Sequence, residues 1–209
     1  MSGLVGVTNG AAETTLQFDS ERSATEAVKM HLSLPAALRV LRSGGDKVVC
    51  EPSTNVLVYA AAAGSAAGGG AYALAACMAA VRRALASLVE HHGDLTAANV
   101  QLVNRSRGRI KARFTGFVPR AAGDNRSALV AGDSARLLQV MDRMYGAYRK
   151  AGGPEDALLV DTLESALDNP VEFARGSWPE FDAALSELAR SSPPVARAQV
   201  MHMFADALN

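Results

Sequence analysis

Asn104 to Arg120 reads N-R-S-R-G-R-I-K-A-R-F-T-G-F-V-P-R, with Arg105, Arg107, Arg109, Lys111 and Arg113 at every second position. In an extended strand alternate side chains share a face. The opposite face then carries Ser106, Gly108, Ile110, Ala112 and Phe114, all small or apolar. The segment therefore predicts a strand with a cationic side and a core side, and it places β-structure before residue 120. No carboxylate occurs from Leu95 to Gly123, whereas a strand charged only for solubility usually mixes signs. The row thus points to an anion-binding face, most simply for a phosphate backbone. Arg105, Arg107, Arg109, Lys111, Arg113 and Arg120 are the candidate nucleic-acid-binding residues. A plainer reading stays open. If Asn104–Gly108 is a hairpin turn, Arg105 and Arg107 sit at its tip. Arg109, Lys111 and Arg113 are then charges on a solvated edge strand that deter edge-to-edge association.

Upstream, Leu95–Val103 alternates Val100 and Leu102 and pairs with the basic strand through that turn. Residues 3–18 predict another hairpin, with Leu4–Val7 and Thr14–Phe18 as strands and Asn9-Gly10 as the turn signal. Ser23 and Glu26 have capping-box spacing and start a helix over 24–31. Pro35 suits a restarted helix carrying Leu34, Leu38 and Leu41 on one stripe. Lys47–Cys50 and Asn55–Ala60 read as short strands.

Val56 to Val81 carries no charge, a length that could span a bilayer. Gly64, Gly68, Gly69 and Gly70 split the run, and it lacks the Leu/Ile/Phe density that drives insertion. The expectation is a strand, a glycine-rich loop and a helix over 71–91, and no membrane partner. The G-x-x-x-G-x-G spacing from Gly64 resembles the nucleotide loop of short-chain dehydrogenases. That loop comes far too late in the chain, and the Tyr-x-x-x-Lys pair is absent, since Tyr145 is followed by Arg149. No Gly-Lys-Ser/Thr follows either, so a flexible or tightly packed Ala/Gly segment is the better reading.

Downstream of residue 120 the pattern is helical. One helix starts at Asp133 or Ser134 and bears Leu137, Leu138, Met141, Met144, Tyr145 and Tyr148, with Gly152-Gly153 as its stop. A second opens at Pro154-Glu155-Asp156 and presents Leu159, Leu163 and Leu167. Ser177–Glu180 is a capping box before Phe181, Leu185 and Leu188, and Val195–Leu208 forms the last helix. The fold class is α+β, mostly α. Residues 1–120 form a mixed region with the basic hairpin and 121–209 a helical region, or the two form one continuous domain.

The 209 residues carry a formal net charge of zero, unevenly spread. Residues 61–120 hold eight basic and two acidic residues, net +6, and residues 151–209 hold three basic and ten acidic, net −7. Such a dipolar chain suits contact between copies. Cys50 and Cys77 have neither metal nor redox spacing, and whether they pair stays open. With no leader pattern at the N-terminus, an intracellular, cytoplasmic setting is expected. The pair His91-His92 lies at a helix end, where a cap or surface role is expected. No nucleophile signature or standout carboxylate pair occurs, and no metal or cofactor is implied.

These features point first to a non-enzymatic, self-assembling structural protein that contacts nucleic acid. A coat or nucleocapsid-type subunit fits, with a virion as its setting. Single-stranded RNA stands ahead of duplex DNA because no recognition-helix pattern occurs. The alternatives are a protein–protein assembly factor or adaptor, whose basic strand meets an acidic surface, and a nucleotide-binding enzyme using the Gly-rich loop.

Overall fold

A computed structural model of the chain describes residues 3–65, 70–88, 92–105, 109–118, 121, 123–170 and 178–191. The architecture is α+β and mostly α, with small antiparallel sheets in the N-terminal part and helices later. Strands β1 (Leu4–Asn9) and β2 (Thr14–Phe18) form the expected hairpin, closed where the Gly10 amide donates to the Glu13 carbonyl at 3.0 Å. Helix α1 (Glu21–Ser33) begins earlier than the Ser23/Glu26 box implies. Ser20, in extended conformation, accepts from the Ser23 amide at 3.2 Å and so caps the helix, while Glu26 pairs with Arg22.

The restarted helix at Pro35 does not form. After Leu34 a turn, closed by the Ala37 amide donating to the Leu34 carbonyl at 3.0 Å, leads toward β3 (Val40–Gly44). The reason is tertiary: the Leu38 amide donates to Phe114 O at 3.0 Å and the Phe114 amide to Ala36 O at 2.9 Å, which holds this segment beside the later hairpin. Leu38 is buried and Leu41 exposed, so they share no stripe. Strand β4 (Lys47–Cys50) completes a four-stranded sheet ordered β1-β2-β4-β3.

The expected strand over 55–60 is instead a two-residue strand, β5 (Thr54–Asn55), followed by helix α2 (Val56–Ser65). Asn55 Oδ1 accepts from the Leu57 amide at 2.9 Å, satisfying a first-turn donor, and the alanines that follow propagate the helix. Helix α3 (Gly70–Ala86) comes next and ends short of the expected residue 91. A Cβ at Gly64 would overlap the Tyr148 carbonyl, and one at Gly70 the Ala63 carbonyl. These two glycines therefore serve close backbone contact. Ala66 to Gly69 lie outside the described residues.

A 3-10 turn (Ala97–Asn99) leads into β6 (Val100–Arg105), which pairs antiparallel with β7 (Arg109–Phe114) in a second sheet ordered β5-β6-β7. Helix α4 (Arg126–Lys150) starts well before Asp133, and Gly152, at φ +99°, ends it. Asp133 is thus not a cap but a buried residue within the helix. Asp156 caps α5 (Ala157–Asp168) by accepting from the Leu159 amide at 3.0 Å, and α6 spans Trp178–Ser191. Ser177 and the helix expected over 195–208 lie outside the described residues.

Two apolar clusters result. The larger joins α2, α3, α4, α5 and α6 to the second sheet and includes Met141 and Met144. The smaller packs α1 on the first sheet through Leu16, Phe18, Ala24, Leu38 and Val48, with Val103 from β6. Each holds one cysteine, Cys77 and Cys50 respectively, both buried and unbridged. Among the described residues no helix is long and apolar enough to cross a membrane.

Candidate functional site

Strand β7 has the two faces that its sequence implies. Ala112 and Phe114 are buried and Ile110 packs on the core, while Lys111 is exposed. The register sets Arg105 opposite Arg109, Lys111 opposite Val103 and Arg113 opposite Gln101. Arg107 and Arg120 lie outside the described residues. Arg113 is not a simple solvent cation. Its side chain is 18% exposed, and its Nε stands 4.0 Å from Oε1 of Glu51, itself buried. Arg39 reaches the same carboxylate, its Nε 3.5 Å from Oε2 and its backbone amide donating to Oε1 at 3.2 Å. Glu51 therefore ties the segment after β4 to β7. Burial of a carboxylate demands such partners.

A second assembly lies just upstream, in loop 92–99. Gly93, at φ +84°, turns the backbone so that the His92 side chain enters the interior. The Asp133 carboxylate accepts from the His92 amide and, at 3.1 Å, from the Gly93 amide. Arg136 donates to the Gly93 carbonyl at 2.9 Å and stands 3.6 Å from Asp133 Oδ1. His92 Nε2–H donates to the Thr115 carbonyl at 2.8 Å, and its Nδ1 accepts from the Asp94 amide at 3.3 Å. Asn99 is engaged at both ends of its amide: Nδ2 donates to Asp94 O at 2.8 Å, and Oδ1 accepts from Thr96 Oγ1 at 3.2 Å. The Asp94 side chain is exposed.

His92 is thus a buried brace, not the cap or surface residue expected of the His91-His92 pair; His91 lies outside the described residues. Burial pushes the His92 pKa down to about 4, opposed by the Thr115 carbonyl, Asp133 and Asp94 and reinforced by Arg136. Its ring lies 4.7 Å from that of Phe117 and 5.7 Å from that of Phe114, centroid to centroid.

The signal that could have found this loop is its spacing. His92-Gly93-Asp94-Leu95-Thr96-Ala97-Ala98-Asn99 sets His, Asp, Leu and Asn at H-x-D-L-x-x-x-N, the spacing of the protein-kinase catalytic loop. There the Asp accepts the proton of the substrate hydroxyl and the Asn helps hold metal. This chain departs from the rest of the set. Gly93 replaces the Arg, and no D-F-G or G-x-G-x-x-G occurs anywhere. Thr115-Gly116-Phe117 follows β7 without a carboxylate, and Lys29, Lys47, Lys111 and Lys150 are all exposed. Among the described residues no group of three or more His, Cys, Asp or Glu is set to hold a metal.

A third polar group joins the two sheets. Asn9 Nδ2 donates to Gln101 Oε1 at 2.9 Å and to Ser53 Oγ at 3.1 Å, while Thr14 and Ser53 hydroxyls lie 2.7 Å apart. Thr14, Ser53 and Gln101 are buried, so the sheets meet through matched polar groups rather than open space.

No family model matches the chain, and no curated protein does. Among solved structures, a double mutant of the PknI kinase domain from Mycobacterium tuberculosis matches at 14% identity and TM-score 0.40, over 99% of this chain and 95% of that one. Rad53 residues 1–466 in complex with AMP-PNP matches at 16% identity and TM-score 0.40, over 94% of this chain and 57% of that one. At that TM-score neither likeness carries an argument about this chain.

Proposed function

We propose that this chain is a non-catalytic binding protein, an assembly factor or adaptor, built around a phosphotransfer-type loop that acts as a structural brace. The observation that carries this reading is loop 92–99. It keeps the H-x-D-L-x-x-x-N residues, yet the Asn99 amide is engaged within the loop at both ends and Thr115 stands in the segment after β7 where an acid is needed. The geometry supports a rigid turn and opposes phosphoryl transfer. The test is incubation of the full chain with labelled ATP and magnesium, alongside thermal melts with ATP or ADP. No phosphate release or self-labelling is expected, and no magnesium-dependent rise in Tm. Labelling that Asp94→Asn abolishes would overturn the reading.

A second reading is favoured by exposed Lys111 and by the alternation of cations along β7. On it the hairpin contacts nucleic acid, single-stranded RNA before duplex DNA, and the chain assembles with itself as a coat or nucleocapsid-type subunit. Binding of a fluorescent oligonucleotide should then weaken steeply as salt rises, through counterion release. Purified material should show nucleic-acid absorbance in a large particle. A clean monomer that ignores oligonucleotide even at low salt rejects it.

A further inference from the structure

His31 lies in the last turn of α1 and is 6% exposed. Its Nδ1–H donates to the Leu38 carbonyl at 2.8 Å, which leaves Nε2 as a bare lone pair, buried and with no hydrogen-bond partner among the described residues. The ring meets Phe117 edge-on, with centroids 5.8 Å apart. Phe117 in turn lies against His92, 4.7 Å away, and His92 against Phe114. Four rings thus form one column from four places: α1, the segment after β7, loop 92–99 and the end of β7. The column links the helix on the first sheet to the loop anchored on α4.

We propose that the His31–Phe117–His92 column is an acid-operated latch between α1 and loop 92–99. A proton from solvent that adds to Nε2 of His31 creates an N–H donor and a full charge at a buried atom that has no hydrogen-bond partner among the described residues. The charged ring regains hydration only if α1 lifts from Phe117. The segment that receives the His31 bond carries Arg39, whose amide and guanidinium engage the buried Glu51 carboxylate, and among the described residues no hydrogen bond or ion pair joins an acid to His31. Strands β2, β3 and β4 pack on α1, and their only charged residues are Arg42 and Lys47, both exposed. On α1 itself Glu21, Arg22, Glu26 and Lys29 are all exposed. His92 faces Asp94, Asp133 and Arg136, and the two acids only partly offset its burial. Desolvation lowers the pKa of both rings from 6.5. The stability supplied by the neutral column is therefore complete above that value and falls as pH drops toward the folded-state pKa, about 4 for His92. The latch does not rest on the binding role proposed above.

The experiment is hydrogen exchange on the full chain from about pH 7.5 to about pH 5, corrected for intrinsic rates, in peptides covering 21–38 and 92–118. Wild type should open about tenfold or more as pH falls. In His31→Phe, with no group to protonate, the response of 21–38 should drop below about twofold. A flat wild-type profile, or an undiminished acid response in His31→Phe, overturns the proposal. Imidazole NMR of the wild type decides the matter if that variant does not fold. The His31 ring should titrate below 6.5 in step with the exchange, and titration at or above that value overturns the latch.

Discussion

Loop 92–99 and the β6–β7 hairpin follow one another in the chain, yet they handle charge in opposite ways. In the loop the decisive ion, Asp133, is buried and arrives from α4, and its oxygens accept two backbone amides. In the hairpin the cations are local to the strand, and Lys111 stands in solvent. A row of like charges is conspicuous in a sequence because its alternation is local to one strand. A single acid inside a helix is inconspicuous, although the backbone it holds depends on it. Arg113 falls between the two, half-committed to buried Glu51.

Substitutions can break this contrast, the largest effect first. Phe114→Ala removes a fully buried ring shared by hairpin and loop and should cost about 3–5 kcal/mol, read as a lower urea midpoint at unchanged m-value. An effect under about 1 kcal/mol would mean that the buried face of β7 is misassigned. Asp133→Ala should cost about 1–3 kcal/mol for each amide left unpaired, whereas Asp133→Asn, which keeps one acceptor, should recover part of that loss in the same titration. Equal losses in both would show that the charge, not the acceptors, holds the loop. Arg113→Gln should cost about 1–2 kcal/mol, because it removes a guanidinium partner of a buried carboxylate. Lys111→Gln should stay within about 0.5 kcal/mol. If the two variants unfold at one midpoint, the Glu51 pairing contributes nothing and β7 carries a uniform solvated face.

The contrast also explains what the sequence made legible. The β1–β2 hairpin could be read because Asn9-Gly10 is a local turn signal, and the start of α5 because Asp156 caps its own helix. The two-faced β7 followed from alternation alone. The extended segment at Leu38 could not be read, since its hydrogen-bond partner, Phe114, is remote and overrides the Leu34/Leu38/Leu41 periodicity. Helix α2 reads as a strand in the sequence because β-branched Val56 and Val58 and aromatic Tyr59 suit either state, and the deciding bond comes from Asn55. Asp133 looked like a helix start because Ser and Asp favour caps. Its true partners, the His92 and Gly93 amides, lie about forty residues upstream. The 92–99 spacing is present in the sequence, but a His pair at a helix end reads most simply as a cap or surface feature.

The two cysteines divide the cores between them, and this gives the native chain a pair of internal clocks. Burial pushes the Cys50 thiol up to about 12, with Glu51 adding to the effect, and pushes Cys77 up as well. A closed core therefore presents no thiolate to an alkylating reagent. Each sulfur reacts only when its own cluster opens, so the two labelling rates, told apart by peptide mass, report the opening of the first sheet and of the helical body separately.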